Sequence, residues 1–420
     1  MNNADRKHIP IRLFVCFFIS QLLYSFSIVN SFSFPTVSGT PYECHAADFS
    51  LGFCSKLLPG AIYNLFVSSP SEKSASIYET VLLILFFAAV SALLSAVSVK
   101  IPKENETVFF ILCVFFLFGA ASVSFFGFRP GMLDFYWALS AAVFFAVVKN
   151  KYLRFFIPLI AVFAVTCHTG GLLTFILLFS IVLLYEASRE EKRSSRNVYL
   201  VLFAFTCAFS LLTFVYFTLF DEHNMKLSVP ELDAFFEERG SQSHYYICSF
   251  YREEALRRFK APADMITSLT GGAYAEGSFL EKIRDLIKIH FWLYGGLDYK
   301  ETFISAGILL ALLFPQLAVY YGYFSGRLKD KNEDPIARFT FFCALALVPF
   351  VTAVSFFVST DSIRWISYSF IMLVSFFIYV QYRENGSGLS YIRRRLEKVH
   401  PLLLTAYFLL YFFTVFNPYG

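Results

Sequence analysis

Apolar runs of about 20 residues, the length that crosses a bilayer core as one helix, recur from residue 13 to residue 416 with short basic segments between them. In hydrocarbon every backbone N–H and C=O must be satisfied within its own segment, so such runs fold as helices. Charged residues make up only 16% of the chain against 57% hydrophobic, too little charge to solvate a soluble surface of this size. The expected fold class is all-α: a polytopic transmembrane helical bundle with a small helical extracytoplasmic layer. The 55 Phe and 25 Tyr suit that setting, Phe against lipid chains and Tyr at the interface.

The expected spans are 13–32, 78–98, 107–126, 133–148, 155–168, 171–186, 197–220, 302–324, 339–358, 366–382 and 401–416, eleven in all. Basic residues orient them. With the N-terminus in the cytoplasm, cytoplasmic segments hold 21 of the 35 Lys and Arg, and the short outer loops hold only Lys56, Lys73, Arg129 and Arg364. Positive charge gathers on the cytoplasmic side, while long loops translocate regardless of charge. The chain is thus expected in the cytoplasmic membrane with its C-terminus outside. The basic N-terminal "MNNADRKHIPIR" leads into an apolar run with no small-residue cleavage site, which reads as a retained span.

Three regions follow: an N-terminal membrane region (1–220, about seven spans, with a first outer loop at 33–77), an extracytoplasmic helical loop (221–301), and a C-terminal membrane region (302–420, about four spans). In the loop, "SVPELDAFFEERG" has Ser228 as an N-cap, Glu231 three residues on, and Gly240 as a stop. "SFLEKIRDLIKIHFW" repeats the pattern from Ser278 and reads as an amphipathic helix on the membrane surface; "KLLPGAIYNLF" (56–66) is expected to lie in the interface likewise. Cys44 and Cys54 can pair if their compartment oxidises. Basic clusters are explained by topology and no nucleic-acid motif is present, so nucleic acid is not an expected partner.

Four polar clusters interrupt the apolar pattern: "YECHAADFSLGF" (42–53), "FRPGMLDFYW" (128–137), "CHTGG" (167–171) and "TDSIRW" (360–365). All four fall at the outer ends of spans. Each residue has a plain structural role open to it. Asp361 and Arg364 can pair at i,i+3 and cap a helix, Arg129 can snorkel to headgroups, His168 can satisfy a turn, and Asp48 can be a solvated loop carboxylate. Jointly, carboxylates, two Arg and a His on one face suit a phosphorylated lipid. Arg binds phosphate in bidentate fashion, and a nearby carboxylate can take a proton from an attacking hydroxyl or hold a divalent cation.

This layout resembles the GT-C class of membrane glycosyltransferases and the related EpsG-like and Wzy-like polysaccharide polymerases. Asp48 in "HAADFSLGF", followed by "KLLPGAIYNLF", matches the acidic residue and membrane-parallel helix of the first outer loop in that class. "FRPGMLDFYW" and "CHTGG" are similar to the Arg- and His-containing segments of EpsG-like proteins. Bacterial multi-spanning membrane proteins with an early D-F-S-L-G-F and a late D-x-x-R-W stretch, here Asp48–Phe53 and Asp361–Trp365, are closer in motif. The resemblance implies a polyprenyl-phosphate glycolipid donor, a glycan acceptor, and Asp48 as catalytic carboxylate. Substrate binding would then fall to Arg129, Asp134, His168, Asp361, Arg364 and Trp365. The first loop offers Asp48 with Glu43 rather than a paired acidic motif, which leaves open a divalent cation held by Glu43 and His45. A transporter or flippase for a lipid-linked or anionic solute, and a non-catalytic envelope assembly protein, are the alternatives. The topology is checked by cysteine labelling: cysteines introduced at 104, 190 and 388 should react only after permeabilisation, and those at 72 and 242 in intact cells. Labelling of position 190 from outside would invert the orientation.

Overall fold

The computed structural model describes residues 3–26, 36–125, 133–241, 250–251, 278, 299–358 and 362–414. Among them are sixteen α-helices and no strand beyond an isolated antiparallel bridge between Gly52 and Met225. In chain order the helices are α1 (Asn3–Tyr24), α2 (Thr40–Ala46), α3 (Leu58–Phe66), α4 (Glu72–Ser98), α5 (Glu106–Leu117), α6 (Ala120–Phe125), α7 (Phe135–Val147) and α8 (Ile157–Cys167). There follow α9 (Phe175–Arg189), α10 (Arg193–Asn224), α11 (Val229–Glu237), α12 (Tyr299–Lys329), α13 (Pro335–Val358), α14 (Ser362–Arg383), α15 (Leu389–Leu396) and α16 (Pro401–Phe413). The chain is an all-α bundle of multi-pass membrane type.

Six of the eleven expected spans are helices long and apolar enough to cross a membrane: α4, α9 with its leading 3-10 turn, α10, α12, α13 and α14. Among the described residues the other five are shorter or broken. The expected span 107–126 breaks between Leu117 and Ala120, at Gly119 with φ +99°. There the Gly119 N–H donates to the Tyr24 hydroxyl at 3.2 Å, and a Cβ would run into the Tyr411 ring. α15 and α16 meet at a 112° bend, and basic α15 (LSYIRRRL) belongs to the polar side of that bend.

The helices differ in what surrounds them. In α14 the most apolar window is 89% buried inside the protein, against 22% in α10. A helix walled by protein need not be apolar all round, and α14 accordingly buries Ser367, Tyr368, Ser369 and Gln381. Lipid-facing α10 instead exposes Val201, Phe205, Leu211 and Leu212. α14 packs against α13, α12, α9, α6 and α4 and is the axis of the bundle.

A second, smaller hydrophobic cluster forms a layer at one end of the bundle: Tyr42, Ala47, Leu51 and Tyr63 from the first loop pack with Met225, Leu232, Phe236 and Phe250. The first loop and the start of the 221–301 segment therefore build this layer together. The capping box of α11 forms as expected, the Ser228 N–H donating to Glu231 at 2.8 Å, and the chain turns at Gly240 with φ +71°. α3 forms at the expected place and leaves Leu65 and Phe66 more than 70% exposed, at 79% and 74%. The expected helix beginning at Ser278 lies outside the described residues except for Ser278 itself. Substituting Gly119→Ala should lower stability by more than about 1 kcal/mol, because the residue sits at positive φ against Tyr411. Gly326→Ala, where a Cβ meets nothing within 4 Å, is the control. Thermal unfolding in detergent separates the two, and equal midpoints would reject the reading of the break.

Candidate functional site

The site begins with Asp134 at the start of α7. Its backbone carbonyl accepts the Trp137 N–H at 3.0 Å, so the residue starts the helix, but its side chain does not cap it. The carboxylate instead crosses to α14, where Arg364 Nη1 donates to Oδ2 at 2.7 Å and the Tyr368 hydroxyl donates to the same oxygen at 3.0 Å. Arg364 and Tyr368 are i,i+4 on α14 and so share a face. Both members of the ion pair are largely shielded, with side chains 6% and 12% exposed. Arg364 therefore has a carboxylate partner 230 residues away in sequence; the expected partner Asp361, like Arg129, lies outside the described residues.

One turn along α7, the Trp137 indole N–H donates to both Ala164 O and His168 O at 3.1 Å. Both carbonyls lie where α8 ends and also accept a backbone N–H, Ala164 O from His168 at 3.2 Å and His168 O from Gly171 at 2.9 Å. His168 then caps the 3-10 turn Thr169–Leu173, its Nδ1 accepting the Gly170 N–H at 3.1 Å. An accepting Nδ1 places the proton of the neutral ring on Nε2. The imidazole stands edge-on to Trp137 at 5.0 Å, and Trp137 meets Trp365 at 6.5 Å and Tyr368 at 5.8 Å. Gly170 lies between the two indoles: a Cβ there would stand 3.0 Å from Trp137 and 3.1 Å from Trp365. Trp365 is 5% exposed, and its indole N–H has no hydrogen-bond partner among the described residues.

Asp134, His168, Arg364 and Trp365 are thus brought together as expected. Asp48 is not among their contacts. It caps the short 3-10 turn Phe49–Leu51, accepting from Ser50 N at 2.8 Å and Asn64 Nδ2 at 2.5 Å, within the layer. Partial burial works to raise its pKa, but those hydrogen bonds and the Arg239 charge outweigh it and hold the carboxyl below its usual value. Its contribution to stability is therefore present above the ordinary carboxylate value and lost as pH falls through the lowered one. The layer reaches the site end of the bundle through the Lys56 N–H, which donates to Thr166 O at 2.8 Å, two residues before His168.

The expected cation pair, Glu43 and His45, does not fit a metal. His45 Nδ1 is 2.8 Å from Pro41 O and its Nε2 is 2.6 Å from Glu79 Oε1, so both ring nitrogens are engaged. Glu43 is buried and faces Ser241 at 3.4 Å. No group of three His, Cys, Asp or Glu side chains suited to a metal ion occurs among the described residues. Cys44 and Cys54 are not joined in a disulfide. Cys54 donates to Asp221 O at 3.2 Å, and burial, aided by the Asp221 charge, pushes its thiol up to about 12.

Glu79 escaped the sequence reading. It is fully buried one turn into the apolar run of α4, where it also accepts from the Tyr136 hydroxyl at 3.1 Å while its Oε2 has no partner among the described residues. The available signal was an acidic residue inside an apolar run, "IYETVLLI". No protein-family model matches this chain, and neither a curated protein nor a solved structure matches it.

Replacing Asp134 with Asn removes the carboxylate charge that Arg364 meets across α7 and α14 and should cost about 3 kcal/mol of stability. Tyr368→Phe removes one hydrogen bond to the same oxygen and should cost about 1 kcal/mol. Denaturation in detergent measures both; wild-type stability in Asp134→Asn would show that the pair does not hold α7 to α14.

Proposed function

We propose that this chain is an integral membrane glycosyltransferase or polysaccharide polymerase that takes its sugar from a polyprenyl-phosphate-linked donor on the extracytoplasmic face of the cell membrane. The observation that carries this reading is the buried Trp365 indole N–H without a partner among the described residues, one residue from a guanidinium bonded to Asp134. A buried donor of that kind calls for an acceptor, and Arg supplies the charge and planar geometry that phosphate oxygens take. The donor phosphate would lie against Arg364 and Trp365.

In the transfer, an acceptor hydroxyl oxygen bonds to the anomeric carbon as the bond from that carbon to the phosphate oxygen breaks. The leaving lipid phosphate takes the electron pair, and Arg364 stabilises its charge. The hydroxyl proton passes to a carboxylate, for which Asp48 is the candidate in the layer that meets this end of the bundle. With its pKa held low, Asp48 is ionised at neutral pH and ready to accept, though with less driving force than a carboxylate tuned near 7. Transport or flipping of a lipid-linked solute is favoured by one feature instead. α7, α8 and α9 are short or interrupted around His168–Thr174, and broken helices line the substrate sites of many transporters.

Arg364→Lys keeps the charge and loses the fork, so glycan product should fall at least about tenfold with donor retention reduced. Asp48→Asn should abolish product while leaving donor retained, as expected of a base rather than a clamp. Both are measured on variants expressed at wild-type level, as product formed and lipid donor co-purified. Full product in both variants would reject the transfer mechanism, and movement of donor between leaflets without product would establish the transport reading.

A further inference from the structure

An apolar groove of about 270 Å³ runs between α4, α7 and α14. Its floor on α7 is Ala138, Ala141, Ala142 and Ala146, a single helical face that ends at Lys149. The four methyl-sized side chains leave the space, and Phe86 of α4 and Ile378 of α14 help to wall it. From Ala138 to Lys149 the floor extends ~16 Å along the helix axis. The upper end lies one turn below Asp134. The lower end is at the opposite end of the bundle, and Lys149 is the one charged residue in the lining.

That lower mouth is basic. The Lys100 ammonium sits 4.0 Å from the ring centroid of Tyr382, which lines the groove, and Lys100 is exposed. Lys149 and Arg154 share the Tyr199 ring, at 5.8 and 5.0 Å. Two carboxylates answer these cations: Glu186, bonded to Lys149 at 2.7 Å and to Arg383 at 2.7 Å, and Glu190, 3.6 Å from Lys149. Lys100, Lys149, Arg154 and Arg383 against Glu186 and Glu190 leave an excess of two positive charges.

Two constraints select the occupant. An apolar slot set among membrane-spanning helices is reached from hydrocarbon, so a run of methylenes fills it where a peptide or a water-soluble ligand cannot. A positive excess at the interface attracts an anionic headgroup rather than a zwitterionic one. We propose that the groove holds one acyl chain of an anionic phospholipid, its phosphodiester at the Lys100–Lys149 mouth. Its headgroup mouth lies at the other end of the bundle from Arg364, and the proposal is independent of the glycosyl-transfer reading.

The test uses the full chain, delipidated in detergent, and reads the unfolding midpoint during titration with dioleoyl-phosphatidylglycerol or dioleoyl-phosphatidylcholine. Phosphatidylglycerol should raise the midpoint further than phosphatidylcholine. Lys100→Gln should weaken the phosphatidylglycerol response about fivefold in apparent affinity and leave the phosphatidylcholine response unchanged. Ala142→Leu, which fills the floor, should remove the response to both lipids. Should Ala142→Leu not fold, exposed Lys100→Gln still decides the headgroup claim and Ala146→Val the groove. Equal responses to the two lipids in the wild type, or a full phosphatidylglycerol response with the groove filled, overturns the proposal. A larger response to polyprenyl phosphate, lost in Ala142→Leu, overturns it in favour of the carrier lipid.

Discussion

The central helix α14 is fixed at both ends by charge, and the rest of the bundle is arranged around that constraint. At one end Arg364 meets Asp134 of α7; at the other Arg383 meets Glu186 of α9 at 2.7 Å. One residue past the helix, Glu384 accepts from Arg327 at 2.5 and 2.8 Å, from Arg189 at 2.6 Å and from the Tyr185 hydroxyl at 2.7 Å. Burial works to raise the Glu384 pKa, and these hydrogen bonds and charges more than offset it, so the carboxyl stays below its usual value. Charges in such places are tolerated only when paired, because breaking one pair leaves an uncompensated charge out of water. The pairs therefore act less as a source of stability than as a register: α14 cannot slide or rotate against α7, α9 or α12 without stranding one of them.

A fixed axis makes a fixed site. Trp365 and Tyr368 lie on the same helix as Arg364, and Trp137 lies one turn from Asp134, so the ion pair sets the positions of all four side chains. The glycine pair at 170–171 lets the 3-10 turn enter between the indoles, where a Cβ on Gly171 would stand 2.7 Å from Trp137 Nε1. Preorganisation of this kind is what a headgroup site needs, since its donors then require no rearrangement when charge arrives. The same rigidity leaves room below. With α4, α7 and α14 held apart at fixed spacing, alanines on α7 create a groove that the helices cannot close by approaching.

Local and long-range features differed in how well the chain disclosed them. The α11 cap was readable because Ser228 and Glu231 interact three residues apart, and the long spans because hydrophobicity accumulates over a whole helix. The convergence of Asp134, His168, Arg364 and Trp365 was readable because span parity put the ends of distant helices on one side. The bond from Arg364 to Asp134 was not, because 230 residues separate the two and nothing in a single chain points to so distant a partner. Glu79 was hidden for the same reason: its worth depends on His45, 34 residues earlier, and on Tyr136, 57 residues later. The break at Gly119 depends on packing against Tyr24 and Tyr411, which hydropathy does not encode.

The joint between layer and bundle has its own chemistry. Pro41 O can only accept, so His45 Nδ1 carries a proton. The 2.6 Å contact between His45 Nε2 and Glu79 Oε1 then needs a second proton, held on the ring or on the carboxyl. Either assignment gives one proton between two buried groups, and without it two acceptors would face each other at that distance. The first-loop helix α2, which leads into Asp48, is thus tied to α4 by a buried hydrogen bond between His45 and Glu79. Tyr136 joins the same oxygen two residues after Asp134, so Glu79 gives the layer a second joint near the Arg364 site beside the bond from Lys56 N–H to Thr166 O.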